Sequence, residues 1–260
     1  MSVIRRLWAL DGGRLSEDRN KLVLRQSGPV TVPCPSFLME HDRGLVLLDT
    51  GLAPNAAEDA SATYGSLADR LNILLSREQC IDRQIERLGF KTSDVDYVIM
   101  SHLHWDHTGG MYLFPQAKFF VMQGELQYAY WPLPGSPPYR REDIDPTRGF
   151  DWHEIDAPDF DFFGDGTLRL LHMPGHTPGN ASLIVRLGSG NVILACDTAH
   201  LQSGLRDDLP MPSDWNTMES VRSMRKLKQI AHVLDASIWI PHDVEDWDRF
   251  RNLMAPDICF

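Results

Sequence analysis

At 260 residues the chain is long enough to bury a large core, and its formal charge of −11 excludes a surface built to neutralise nucleic-acid phosphates. No apolar run approaches the roughly 18 residues of a membrane span, and residues 1–11 carry Arg5 and Arg6 with too few apolar neighbours for a secretion signal. Cytoplasm is therefore expected, and Cys34, Cys80, Cys196 and Cys259, which form no C-x-x-C pair, are expected as reduced thiols. In chain order, apolar residues 32–38 and 44–48 predict two early strands, the second ending at Asp49-Thr50. Residues 52–75 form an insertion whose Leu67, Leu71, Leu74 and Leu75 are expected either to cap a pocket or to pair two subunits of a homodimer. Ser76-x-x-Gln79 spells a capping box and Gly89 a stop, bracketing a helix. A buried strand is predicted at 95–100 and a helix at 123–130. Residues 131–146 carry five prolines and predict an irregular surface loop, either beside the site or as a rigid connector. Strands follow at 168–173, 191–196 and 236–240, with a hairpin at Gly188-Ser189-Gly190-Asn191. A helix over 217–234 has apolar residues at three- and four-residue spacing, and its Arg222, Arg225, Lys226 and Lys228 are read as a solvated outer face. Residues 44–50 and 190–198 both read as strand followed by Asp-Thr, which suggests one domain of two similar halves, about 1–130 and 150–260, joined by the proline-rich loop.

The densest chemistry lies at His102-Leu103-His104-Trp105-Asp106-His107, four metal-ligand side chains within six residues. Imidazole nitrogens with a carboxylate suit zinc and its first-row neighbours, and so dense a cluster would be costly to bury without a metal. It follows the strand at 95–100, and strand C-terminal ends are where α/β folds carry their sites. Further candidates recur just after later strands: His176 in the turn Pro174-Gly175-His176-Thr177-Pro178-Gly179, Asp197 after the strand at 191–196, and His242 after the strand at 236–240. Adjacent side chains of a strand face opposite ways, so Cys196 is expected to point away from the site that Asp197 enters.

This H-x-H-x-D-H pattern with its later His, Asp and His resembles the metallo-β-lactamase superfamily. The resemblance implies an αββα sandwich, two facing mixed sheets with helices outside. It also implies two divalent metals, with zinc the ion expected for this ligand set: His102, His104 and His176 would hold one, Asp106, His107 and His242 the other, and Asp197 would bridge. Asp49 would orient a ligand from behind. Within the superfamily the segments 101–110, 164–168, 174–179 and 32–38 are similar to those of N-acyl homoserine lactonases. That likeness implies quorum-quenching hydrolysis of a lactone by a hydroxide shared between the metals, with Asp106 passing the proton to the leaving oxygen. One departure stands out: three residues after Asp197, where those lactonases carry a Tyr, this chain has His200, expected as a catalytic hydrogen-bond donor. Trp8, Phe37 and Trp131 are the aromatic candidates for an apolar substrate pocket. Alternatives sharing these ligands are a 4-pyridoxolactonase-like enzyme, a phosphotriesterase, an iron sulfur dioxygenase and a non-catalytic metal-containing regulator. A glyoxalase II-like thioesterase would need a helical region after His242, where 260 − 242 = 18 residues remain.

Overall fold

The protein is described as a computed structural model over residues 3–253, so Cys259 lies outside the described residues. Two sheets carry the architecture. The first runs, in spatial order, Arg6–Leu10, Ser36–His41, Gly44–Leu48, Val95–Ile99, Lys118–Met122 and Asp151–Ile155. The second runs Ala236–Trp239, Gly190–Leu194, Ala181–Leu187, Leu168–His172 and Asp159–Asp161. Both are mixed, with parallel pairing from Gly44–Leu48 through Asp151–Ile155 and between Gly190–Leu194 and Ala236–Trp239. The strand Asp151–Ile155 belongs to the first sheet, so the change of sheet falls after residue 155 and beyond the proline-rich loop.

Strand alternation explains the layering. Phe37, Met39, Val46 and Leu48 of the first sheet meet Leu168, Leu170, Leu183, Val185, Val192 and Leu194 of the second in one core between the sheets. The intervening residues face outward: Leu38, Leu45, Leu47 and Val98 pack on Ile81 and Ile85 of the helix Ile81–Arg87. On the far side Leu171, Ile184 and Ile193 pack on Met224, Leu227 and Ala231 of the helix Thr217–Leu234, which spans the expected residues. Helix, sheet, sheet, helix is the expected αββα order. Asn216 caps that last helix by accepting from the backbone N–H groups of Met218 and Glu219. The Ser76–Gln79 capping box is present, although it opens a single 3₁₀ turn, Arg77–Gln79, before Ile81–Arg87 begins. Gly188-Ser189 joins antiparallel Ala181–Leu187 and Gly190–Leu194 as the hairpin required.

Three local expectations change. Residues 32–38 are two strands, Pro29–Pro33 and Ser36–His41, because Pro35 supplies no ladder N–H; Pro29–Pro33 pairs with Arg14–Asp18 in a separate ribbon. The proline-rich stretch turns helical at Arg141–Ile144. Cys196 lies in a turn beyond the strand with φ of +47°, so alternation does not govern it; its side chain still faces the core between the sheets, away from the site. Among the described residues no helix is long and apolar enough to cross a membrane.

Candidate metal centre

The strand Val95–Ile99 ends beneath a loop that carries His102 and His104, and a single helical turn, Trp105–Thr108, carries Asp106 and His107. Asp49, itself at φ +57°, grips this loop from behind. Its carboxylate accepts from the Ser101 N–H and Oγ–H, both at 2.7 Å, and lies 2.9 Å from His107 Nδ1. Gly109 fits where a Cβ would strike the Ala53 backbone nitrogen at 2.0 Å, so the helical turn can lie flat against the segment after Asp49.

The second sheet delivers the remaining groups. His176 sits in the turn after Leu168–His172, Asp197 in the 3₁₀ turn Cys196–Thr198, and His242 beyond Ala236–Trp239. All the metal-ligand candidates of the sequence converge, and His200 with them. His102, His104 and His176 offer ligand atoms within 4.8 Å of one another, as do His102, His107 and Asp197, and His176, Asp197 and His200. Asp106 and His242 form a further such group with Cys34, which the ligand spacing of the sequence does not mark. The Asp197 carboxylate divides the imidazoles. Its Oδ1 lies 3.5 Å from His107 Nε2 and 3.3 Å from His242 Nε2, while Oδ2 lies 3.7, 3.3 and 3.1 Å from the Nε2 atoms of His102, His176 and His200. Asp106 Oδ2 stands 3.8 Å from both His107 Nε2 and His242 Nε2.

The far ring nitrogens are held from outside. Ser101 Oγ is 3.1 Å from His102 Nδ1, Asp214 Oδ1 is 2.9 Å from His176 Nδ1, and the Pro33 carbonyl is 2.6 Å from His242 Nδ1. Such contacts fix the rotation of a ring and turn its other nitrogen inward. Asp214 was not legible in the sequence beforehand; its one signal is its place two residues before the Asn216 cap. Glu125 was also missed. It is fully buried and accepts from Leu103 N–H on one ligand loop and from Thr177 Oγ–H and Gly179 N–H on the other, tying the two loops together. Burial raises its carboxyl pKa, and these donors partly offset the rise.

The inward-facing atoms fit metal ions. His102 Nε2, His107 Nε2 and Asp197 Oδ1 are buried without a hydrogen-bond partner, a cost that close-packed proteins seldom leave in place. His104 Nδ1 and His176 Nε2 face each other at 2.8 Å. Burial, aided by neighbouring imidazoles, holds His102 and His104 well below the ordinary imidazole value, which favours the neutral form that ligates metals. At Asp197 burial is outweighed by the His242, His107, His200 and His102 rings, which hold the carboxyl well below its usual range.

A cavity of about 460 Å³ opens over these groups. His104, Asp106, His176, Asp197, His200 and His242 form its floor; Leu15, Leu22, Val32, Leu67, Leu71, Trp105 and Met211 form much of its wall, with Gly135–Pro138 along one side. The 52–75 insertion thus helps to cap the pocket through Leu67 and Leu71, and the proline-rich loop runs beside the site. The aromatic candidates do not line it. Trp8 packs edge-on against Phe90 in the outer core, Phe37 lies in the core between the sheets, and Trp131 is 88% exposed. The aromatic wall is Trp105 instead, inside the ligand motif itself and edge-on to Tyr64 at 5.0 Å.

Comparisons with known proteins agree with this geometry. The sequence pattern of the metallo-beta-lactamase superfamily matches residues 30–230. The N-acyl homoserine lactonase AttM of Rhizobium radiobacter is 34% identical over 261 aligned residues, covering 97% of each chain. The N-acyl homoserine lactonase of Bacillus cereus is 26% identical over 93% of this chain and 94% of its own. A solved N-acyl homoserine lactone hydrolase, with the product N-hexanoyl-L-homoserine at its catalytic metal centre, superimposes with a TM-score of 0.84 over 95% of this chain and 96% of that one. At 24% identity this last likeness is one of fold.

Proposed function

The chain belongs to the metallo-β-lactamase superfamily, and from that premise we propose that it is a metal-dependent hydrolase that opens the ring of N-acyl homoserine lactones. The observation that carries this reading is an apolar-walled cavity set directly on a floor of converging imidazoles and carboxylates, in a chain similar along nearly its whole length to named lactonases. Two divalent metals belong on that floor. His102, His104 and His176 would hold one, Asp106, His107 and His242 the other, with Asp197 between the two groups; the all-imidazole and carboxylate set makes zinc the proposed identity. When bound, the metals polarise the lactone carbonyl and acidify a water for attack on it.

The chain's own residues perform the rest. Leu15, Leu22, Leu67, Leu71 and Met211 offer the acyl chain an apolar wall at one end of the cavity, while the lactone ring meets the polar floor. Asp49, Ser101, Asp214 and the Pro33 carbonyl keep the imidazoles from rotating as charge develops. Asp106, at the edge of the cavity, would take the proton that the attacking water gives up and pass it to the ring oxygen as the carbon–oxygen bond breaks. The product is an open hydroxy acid, ionised at neutral pH, so each turnover releases one proton. The buried free thiols of Cys34, Cys80 and Cys196 support a reducing compartment, the cytoplasm.

The test is proton release from a medium-chain N-acyl homoserine lactone at neutral pH by protein of known metal content. Efficiency of about 10⁴ M⁻¹s⁻¹ or more, abolished by chelator, is expected. Negligible release from protein holding two metals would remove this substrate and point to bicyclic lactones or phosphotriesters.

A further inference from the structure

We propose that His200 is a further donor to the metal held by His102, His104 and His176, an assignment that rests on the two-metal reading above. The Asp197 carboxylate supplies the argument. Two donors each about 2.0–2.1 Å from a shared ion lie about 3.0–3.4 Å apart at the angles common in metal sites. His200 Nε2 is 3.1 Å from Asp197 Oδ2, and His176 Nε2 is 3.3 Å from the same oxygen. His107 and His242 instead crowd Oδ1. The imidazoles are thus sorted by carboxylate oxygen, and His200 falls with His102 and His176, on the side of the first metal.

Local backbone explains how a residue three positions after Asp197 reaches this place. The 3₁₀ turn Cys196–Thr198 ends at Ala199, which is extended at φ −152° and ψ 141°, and the chain thereby presents His200 to the same floor. The ring is buried to 6% exposure, its centroid is 4.7 Å from that of His176, and it lies parallel to His242 at 5.9 Å. Asp197, His176 and His200 together offer three donor atoms within one ion's reach. A histidine here would therefore retain the metal rather than only donate a hydrogen bond to substrate, the role expected from sequence.

The test compares zinc release to a competing chelator from the dizinc wild type and from His200→Phe, with folding checked by circular dichroism. One of the two zincs is expected to leave at least about tenfold faster from the variant, with the other unchanged. Two zincs released at wild-type rates would overturn the assignment alone, while a wild-type chain that retains no zinc would overturn it together with the two-metal reading. The unsubstituted dicobalt protein gives a second measurement that needs no variant. Its hyperfine-shifted imidazole N–H resonances should include one more than His102, His104, His107, His176 and His242 supply; their number alone would exclude His200. Neither measurement uses a lactone, so failure here is distinct from failure of the lactonase reading.

Discussion

The floor and the wall of the cavity are built on opposite principles. On the floor, charged and polar groups are buried, the His102, His107, His176 and His242 rings are held by Ser101, Asp49, Asp214 and the Pro33 carbonyl, and the surrounding loops are tied by Asp49 and Glu125. The wall is mostly apolar, with Glu17, Lys21 and Arg70 among its residues, and comes from separate short elements: the ribbon Arg14–Asp18 with Pro29–Pro33, the helices Arg19–Leu22 and Ser66–Leu71, and the turn before Pro138. Directional bonds fix the position of a reacting group to a fraction of an ångström, whereas apolar contact is non-directional and tolerates exchange. The difference teaches that reaction type resides in the floor and substrate range in the wall.

If that division holds, the largest effect belongs to Asp197→Asn. Loss of the carboxylate charge at the centre of the imidazole cluster should lower kcat/KM by about 10³-fold or more, with metal content falling in the same preparation; an active, fully loaded variant would refute that division. Next comes Asp214→Asn, which touches no substrate yet holds His176 at 2.9 Å. Metal affinity should fall about 10–100-fold, read by chelator competition, and unchanged affinity would mean that the outer contacts are idle. On the wall, Leu71→Ala should raise KM for long acyl chains about tenfold with kcat kept and short chains little affected; a fall in kcat for every chain length would show wall and floor to be coupled.

The smallest effect concerns support beneath the floor. Asp143 accepts from Thr108 Oγ–H at 3.2 Å and from Arg140 at 2.7 Å, and burial, only partly offset by Arg140, pushes its carboxyl up from 3.8 to about 6. Its protonated form is thus favoured in the folded state. The stability this contributes is present below pH 3.8 and is lost as pH rises through about 6. Relative to wild type, Asp143→Asn should therefore gain about 1–3 kcal/mol between pH 4 and 7, measured as the difference in unfolding free energy at each pH. A difference independent of pH would show that Asp143 does not titrate differently on folding.

The same division decided what could be read in advance. The run His102–His107 is contiguous, and His176, Asp197 and His242 each follow an apolar segment that folds as a strand, so the floor could be assembled from spacing and resemblance alone. Trp8 and Phe37 were misplaced because a strand residue may face either of two apolar layers; Trp8 faces the outer core and Phe37 the core between the sheets. Trp131 follows the helix Glu125–Tyr130 and turns to solvent, since no element packs over it. Trp105 escaped notice because it stands at an unassigned position within the ligand motif. Asp214 and Glu125 are single acidic residues among 36; apart from Asp214's place two residues before the Asn216 cap, nothing in their neighbours distinguishes a tether from a solvated charge.

The strand and helix pattern of the sequence, together with its likeness to the superfamily, was enough for the αββα layering and for naming the side chains that converge. Only the tertiary structure decided that His102, His176 and His200 meet one oxygen of Asp197 while His107 and His242 meet the other, and that Leu22, Leu71 and Met211 share one wall. The physical reason is range. Periodicity and turn chemistry act over a few residues, whereas a cavity wall is formed by contacts between segments as distant as Leu15 and Met211, whose approach is set by the packing of both sheets.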